Sequence, residues 1–243
     1  MHVELQNVCK AYGKVRALDR VFIDLDPGKV VAVLGSNGAG KSTLLRILGG
    51  IIQPDDGGVL YDGQRLALDN LDLRRRIFFL PDFPPVFPGE SVLSNIGLLL
   101  RIYEADGPDA PAKVLHGMEA FDLLELAEKP VETLSRGQSY KAALVALLAI
   151  DPDLWLLDEP MASGMDPHGL AILRTELRNA AARGRIVVFT TQILEAAERL
   201  ADVACIFHKG SLSLMASIDA LRRTSATGTD GVIEAMLRGL RDP

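Results

Sequence analysis

Three short stretches carry residues whose types and spacing can do chemistry. In "GSNGAGKST", residues 35–43, glycines at 35, 38 and 40 lead into Lys-Ser-Thr, which fits G-x-x-x-x-G-K-[ST]. Glycine lets backbone N–H groups turn inward around an anion. A helix opening at Lys41 adds the positive end of its dipole. Lys41 is a mobile cation for the β- and γ-phosphates of a nucleotide, and Ser42 offers a hydroxyl to Mg2+. The candidate phosphate cradle is therefore Gly35, Ser36, Asn37, Gly38, Ala39, Gly40, Lys41, Ser42 and Thr43. In "DLWLLDEP", residues 153–160, an apolar run ends in two acids. Asp158 can hold Mg2+ through water, and Glu159, one residue on, can polarise an attacking water. In "LSRGQ", residues 134–138, Ser135 and Gly137 open a long apolar helix. Its N-terminus makes a second anion site or, read in isolation, only a helix cap. No Asn-Lys-x-Asp guanine reader occurs, which argues against a GTPase.

The elements that must position these residues are legible from periodicity. "VVAVLG" (30–35), "LWLL" (154–157), "IVVF" (186–189) and "VACIF" (203–207) are continuously apolar, as strands buried on both faces of a parallel sheet are. Helical patterns separate them, giving an α/β architecture. Val3, Leu5 and Val8, then Val21, Ile23 and Leu25 alternating with Phe22, Asp24 and Asp26, predict an antiparallel β layer. Between residues 82 and 150 a proline-rich loop, "PDFPPVFPGES", gives way to helical segments, a mostly helical insertion in the core. The chain divides into a domain over 1–220 and a short tail over 221–243, where "GVIEAMLRGL" is amphipathic. At the end of the 186–189 strand stand Thr190, Thr191 and Gln192, where a polar residue faces a ligand in an open α/β sheet.

Composition sets the outer bounds. The 243 residues are 48% hydrophobic, enough for one large α/β domain, and the formal net charge is −6. An acidic chain is a poor match for a phosphate backbone, so no nucleic-acid partner is expected. Cys9 and Cys205 lie in strand-like runs and read as buried thiols in a reducing compartment. The N-terminus "MHVELQNVCK" has no apolar signal region, and "AALVALLAI" (142–150) is far short of the ~20 residues a membrane span needs. A cytoplasmic protein is expected, with any membrane role supplied by a partner.

Taken in order, "AYGKVRAL", "GSNGAGKST", "LPDFPP", "LSRGQ", "LLDEP", "SGMDP" and "FTTQ" resemble the ATP-binding-cassette (ABC) nucleotide-binding domain along almost the whole chain. The drug-resistance exporters of that family also carry "TTQ". The resemblance implies a P-loop NTPase (RecA-like) core with an antiparallel β layer and an inserted helical subdomain. It implies ATP and Mg2+ as ligands, with Tyr12 stacking on adenine. Ser135, Gly137 and Gln138 would cap the γ-phosphate of ATP held by a second nucleotide-binding domain, identical or a sibling. Ser163 and Asp166 would couple the two sites. A separate transmembrane permease subunit would place the chain on the cytoplasmic face of the membrane, and export is the expected direction.

Three positions depart from the commonest pattern. Arg136 replaces a glycine. Asp82 replaces the glutamine whose oxygen serves Mg2+ and the attacking water; either its carboxylate keeps that role, as metal ligand and catalytic group, or it faces solvent and caps the loop. Gln192 replaces a histidine; either its amide still donates to the γ-phosphate, without titrating near neutrality, or the site binds ATP and rarely turns it over. Phe83, Val86 and Phe87 suit either docking of a permease helix or internal packing. The leading expectation is the ATPase subunit of an ABC transporter. The alternatives are an ATP-binding regulatory subunit with weak hydrolysis and a soluble ABC ATPase without a transporter.

Overall fold

The computed structural model describes residues 1–67 and 69–224. The first half of the chain runs through β1 (Val3–Tyr12), β2 (Val15–Leu25), β3 (Val30–Leu34), α1 (Lys41–Leu48), β4 (Asp56–Tyr61), β5 (Gln64–Arg65), α2 (Leu71–Arg75) and β6 (Ile77–Leu80). Three helices follow, α3 (Val92–Ile102), α4 (Ala110–Ala120) and α5 (Arg136–Ile150). The chain then forms β7 (Leu154–Leu157), α6 (Pro167–Ala182), β8 (Ile186–Thr191), α7 (Leu194–Leu200), β9 (Val203–His208), β10 (Ser211–Ser217) and α8 (Ile218–Thr224).

The strands make two sheets. The period-two segments give a four-stranded antiparallel sheet in the order β2-β1-β4-β5. The continuously apolar runs become the central sheet, ordered β10-β9-β3-β8-β7-β6, parallel except for β10 at its edge. Because side chains alternate along a strand, this sheet feeds two cores. Val31, Val33, Leu154, Leu156 and Val188 pack with α1 and the inner face of the antiparallel sheet. Leu34, Trp155, Leu157, Phe189 and Ile206 pack with the helices on the other face.

The three helices between β6 and β7 occupy the region expected to be helical. α5 is apolar on every side because it is buried on every side, against α3 and α4 among others. Asn95 pins the proline-rich loop: its amide accepts from the Phe87 N–H at 2.8 Å and donates to the Phe87 carbonyl at 3.2 Å. The loop's apolar residues divide. Val86 packs on the core, whereas Phe83 and Phe87 are exposed. Ile218 and Leu221 anchor α8 in the core, while "GVIEAMLRGL" lies outside the described residues. Both cysteines are free; Cys205 is buried, which pushes its thiol up to about 12, but Cys9 is only half-buried.

Leu157 and Phe189 are register partners on β7 and β8, directly beneath the acidic pair. Phe189→Ala empties a fully buried site and should cost about 3–5 kcal/mol. Urea unfolding followed by the fluorescence of Trp155, the one tryptophan in the sequence, measures it. An unchanged midpoint would mean that the layer tolerates the cavity.

Candidate functional site

Four loops leave the C-terminal edge of neighbouring strands and meet there, where open α/β sheets bind ligands. β3 runs into the glycine-rich loop, β6 into Asp82, β7 into Asp158 and Glu159, and β8 into Gln192. They surround a cavity of about 510 Å3 whose walls include Gly38, Lys41, Ser42, Asp82, Glu159 and Gln192.

The glycine-rich loop is held from outside the sheet. Gly40 caps α1 with a φ of 106°, and a Cβ there would run into the Ala17 carbonyl on β2, so only glycine fits. On its other side the Gly210 N–H donates to the Ala39 carbonyl at 3.1 Å. Lys41 is buried, and its ammonium donates to the Gly35 carbonyl at 3.0 Å and the Ser36 carbonyl at 3.4 Å. Its Nζ also lies 3.4 Å from Glu159 Oε1. Asn37 accepts from the Gln192 side-chain amide at 2.8 Å. Gln192 thereby ties the end of β8 to the loop after β3.

Asp158 is buried and accepts twice through Oδ1, from Ser42 Oγ at 3.1 Å and from Thr190 Oγ1 at 2.7 Å. The same Thr190 oxygen accepts the Glu159 N–H at 2.8 Å. Glu159 has a φ of 49°, a left-handed conformation that costs a non-glycine residue about 1 kcal/mol and turns its side chain away from that of Asp158. Asp82 lines the cavity with its carboxylate bound by Arg136, whose guanidinium carbon lies 4.4 Å over the Phe83 ring.

With this geometry in view, the sequence matches the ABC transporter family over residues 18–162. The chain belongs to the ABC transporter family. A Nod factor export ATP-binding protein I from Paraburkholderia xenovorans (strain LB400) is 32% identical over 86% of this chain and 68% of its own length. The daunorubicin resistance ATP-binding protein DrrA3 of Streptomyces coeruleorubidus is 33% identical over 94% of this chain and 71% of its own. A dimeric structure of the ATP-binding cassette MJ0796, in a post-hydrolysis state with ADP and Pi, superposes with a TM-score of 0.79 at 26% identity, covering 89% of this chain and 98% of that one. Membership makes this an ATP-binding domain of an ATP-hydrolysing family, built on the P-loop NTPase fold.

The remaining residues picked out from the ABC pattern stand apart from this chain's own cavity. Ser135 and Gln138 form a capping box at the start of α5, each side chain bonding the other's backbone N–H, at 3.2 and 2.9 Å. Gly137 abuts the 163–166 loop so closely that a Cβ would strike the Gly164 carbonyl. Asp166 caps α6, accepting the Gly169 N–H at 2.7 Å, and pairs with the buried Lys141 at 2.6 Å. The bond from Lys141, then the Gly169 N–H, holds the Asp166 carboxyl below the usual range. Ser163 is fully buried, and its hydroxyl has no partner among the described residues. Tyr12 is half exposed at the hairpin end, with the Lys10 ammonium 5.9 Å from its ring, while its register partner Val15 lines the cavity.

Sequence reasoning missed Lys141 and Tyr140, and it named Thr190 only for its place at a strand end. A threonine in an apolar strand and a lysine opening "KAALVALLAI" were the available signals. Tyr140 is wholly buried, and its hydroxyl has no partner among the described residues; burial, with the Asp158 and Asp82 charges, pushes its phenol well above the ordinary value. For Thr190 the consequence is measurable. Thr190→Val keeps the shape but removes the bridge, and the ATP hydrolysis rate should fall about 10–100-fold, the usual cost of losing a group that orients a ligand-holding carboxylate. Thr190→Ser should retain most of it. An unchanged rate in a variant that melts like the parent would make the bridge incidental.

Proposed function

We propose that this chain is the Mg-dependent ATP-hydrolysing subunit of a transporter, working with a second nucleotide-binding domain and a separate transmembrane permease, in the direction of export. The observation that carries the hydrolytic part is the convergence of Ser42, Asp158, Lys41 and Glu159 at one sheet edge, with Ser42 Oγ 3.1 Å from Asp158 and Lys41 Nζ 3.4 Å from Glu159. Relatives named for Nod factor export and daunorubicin resistance support the direction. The dimeric MJ0796 cassette supports the second domain. Among the described residues no helix is long and apolar enough to cross a membrane. The exposed Phe83 and Phe87 would offer a permease apolar area, which supports a position on the cytoplasmic face of the membrane beside it.

In this reading the N–H groups of residues 35–43 and the Lys41 ammonium hold the β- and γ-phosphates of ATP. Tyr12 stacks on the adenine from the cavity's rim. Glu159 accepts a proton from the attacking water, and the Gln192 amide donates to the γ-phosphate. The N-terminus of α5, with Ser135, Gly137 and Gln138, caps ATP held by the partner domain, and Ser163 and Asp166 link the two sites. The donor set of Ser42 and Asp158 consists of hard oxygens, which suits Mg2+. Bound there, Mg2+ would neutralise charge that develops on the phosphates.

Glu159→Gln keeps shape and removes the proton acceptor. Hydrolysis should fall roughly 10²–10⁴-fold while ATP still binds. Mg-ATP should then drive a stable dimer, seen as a shift in size-exclusion chromatography. Normal turnover would reduce Glu159 to a structural residue.

Gln192 and Asp82 favour a second reading, a site that binds ATP with weak turnover. The two readings separate at Gln192. If its amide donates to the γ-phosphate, Gln192→Ala should slow hydrolysis by up to about 10²-fold and leave ADP affinity unchanged. A slow parent rescued by Gln192→His would favour the second reading.

A further inference from the structure

Two of the three departures from the family pattern touch each other. Asp82 follows β6 and Arg136 opens α5, 54 residues later, yet the Arg136 guanidinium binds the Asp82 carboxylate. The central carbon of the same guanidinium lies 4.4 Å from the centroid of the Phe83 ring, so the residue next to Asp82 also holds it. Both members of the pair line the cavity beside Lys41, Ser42 and Glu159.

Each residue alone is unfavourable there. An unpaired carboxylate at position 82 would add a third negative charge to Asp158 and Glu159, facing the space that receives a triphosphate. An unpaired arginine at the first position of α5 would stand at the positive end of the helix dipole. Paired, each removes the other's cost. We propose that Arg136 is a positioning residue: it neutralises Asp82 and ties the loop after β6 to the start of α5, so that the γ-phosphate end of ATP meets a wall without net charge. The inference rests on the reading of the cavity as the ATP site. The neutral glutamine and glycine of the commoner pattern are thus replaced by a matched pair of opposite charges. The exposed Phe83 and the N-terminus of α5 are joined through it.

The test uses the full chain as parent, Arg136→Gly, Asp82→Gln and the double variant, titrated at equilibrium with Mg-ATP and Mg-ADP. Arg136→Gly should weaken ATP binding about tenfold, because a bare carboxylate then faces the γ-phosphate, and ADP binding by less than about twofold. Raising the salt concentration should shrink the ATP loss, since the pair is partly exposed, with side-chain accessibilities of 39% and 34%. The double variant should bind ATP within about twofold of the parent. If Arg136→Gly costs the same with and without Asp82→Gln, the two do not act as a unit and the proposal is overturned. A second readout needs no nucleotide. In the free chain, amide hydrogen exchange over residues 82–87 should quicken in Arg136→Gly, and unchanged exchange overturns the tether. Thermal melting of each variant guards against misfolding, with Arg136→Gln as the milder replacement. Failure of the parent to bind ATP at all would sink the nucleotide-site reading instead, and is told apart by that single titration.

Discussion

The Asp158 carboxylate accepts hydrogen bonds from hydroxyls on both sides of it, Ser42 at 3.1 Å and Thr190 at 2.7 Å, and the rest of the site depends on that junction. A buried carboxylate is costly unless its oxygens are satisfied. Satisfying this one requires three neighbouring elements in register: α1 following β3, β7 itself and β8. Leu34 pairs with Thr191 and Leu157 with Phe189, which brings Thr190 level with Asp158. A slip of one residue on β8 would turn the Thr190 hydroxyl to the opposite face and bury it among apolar side chains. The parallel sheet thus fixes the chemistry through its register. The same hydroxyl, by accepting the Glu159 N–H, also holds that residue in its left-handed turn, which aims the carboxylate toward Lys41.

The antiparallel layer contributes more than core volume. Ala17 on β2 closes over Gly40, and the turn at Gly210, between β9 and β10, bonds Ala39 on one side and Asp19 on the other. A glycine-rich loop has many conformations to lose, and ordering it costs entropy. Here two separate sheets share that cost, so the loop's N–H groups are preorganised around the space they enclose. That is the condition under which backbone dipoles stabilise an anion most effectively.

The parts of the molecule that repeat a pattern were legible in the sequence. Continuous apolar runs became strands buried on both faces, period two became the antiparallel sheet, and the glycine spacing marked the cradle. The parts that depend on distant residues meeting were not. Asp82 and Arg136 are 54 positions apart, and neither periodicity nor motif spacing says that they touch. Gln192 was flagged by its place at a strand end, but its bond to Asn37 spans 155 positions and is set by the adjacency of β3 and β8. Thr190 was named for the same strand end, but its bridge to Asp158 was not legible, because a β-branched side chain suits a buried strand and raises no conflict with its neighbours. The loop after β6 resolved an open choice by splitting it, with Val86 inward and both phenylalanines out.

α5 gathers connections both from the cavity wall and from the 163–166 loop beyond it. Within its first two turns Arg136 holds Asp82, Gly137 leans on Gly164, and Lys141 pairs with Asp166. The last of these pairs has a depressed acid. An aspartate with a lowered folded-state value contributes stability above its unfolded value, near 3.9, and loses it only as pH falls through the lower one. The contact therefore persists across the neutral range. Close-packed helices do not deform continuously, and α5 is buried against α3 and α4 along its length. A force on its N-terminus must then move these helices as a body or break the contacts to Asp82 and to the 163–166 loop. Those contacts join Asp82, in the wall of the cavity, to the 163–166 loop through the start of α5.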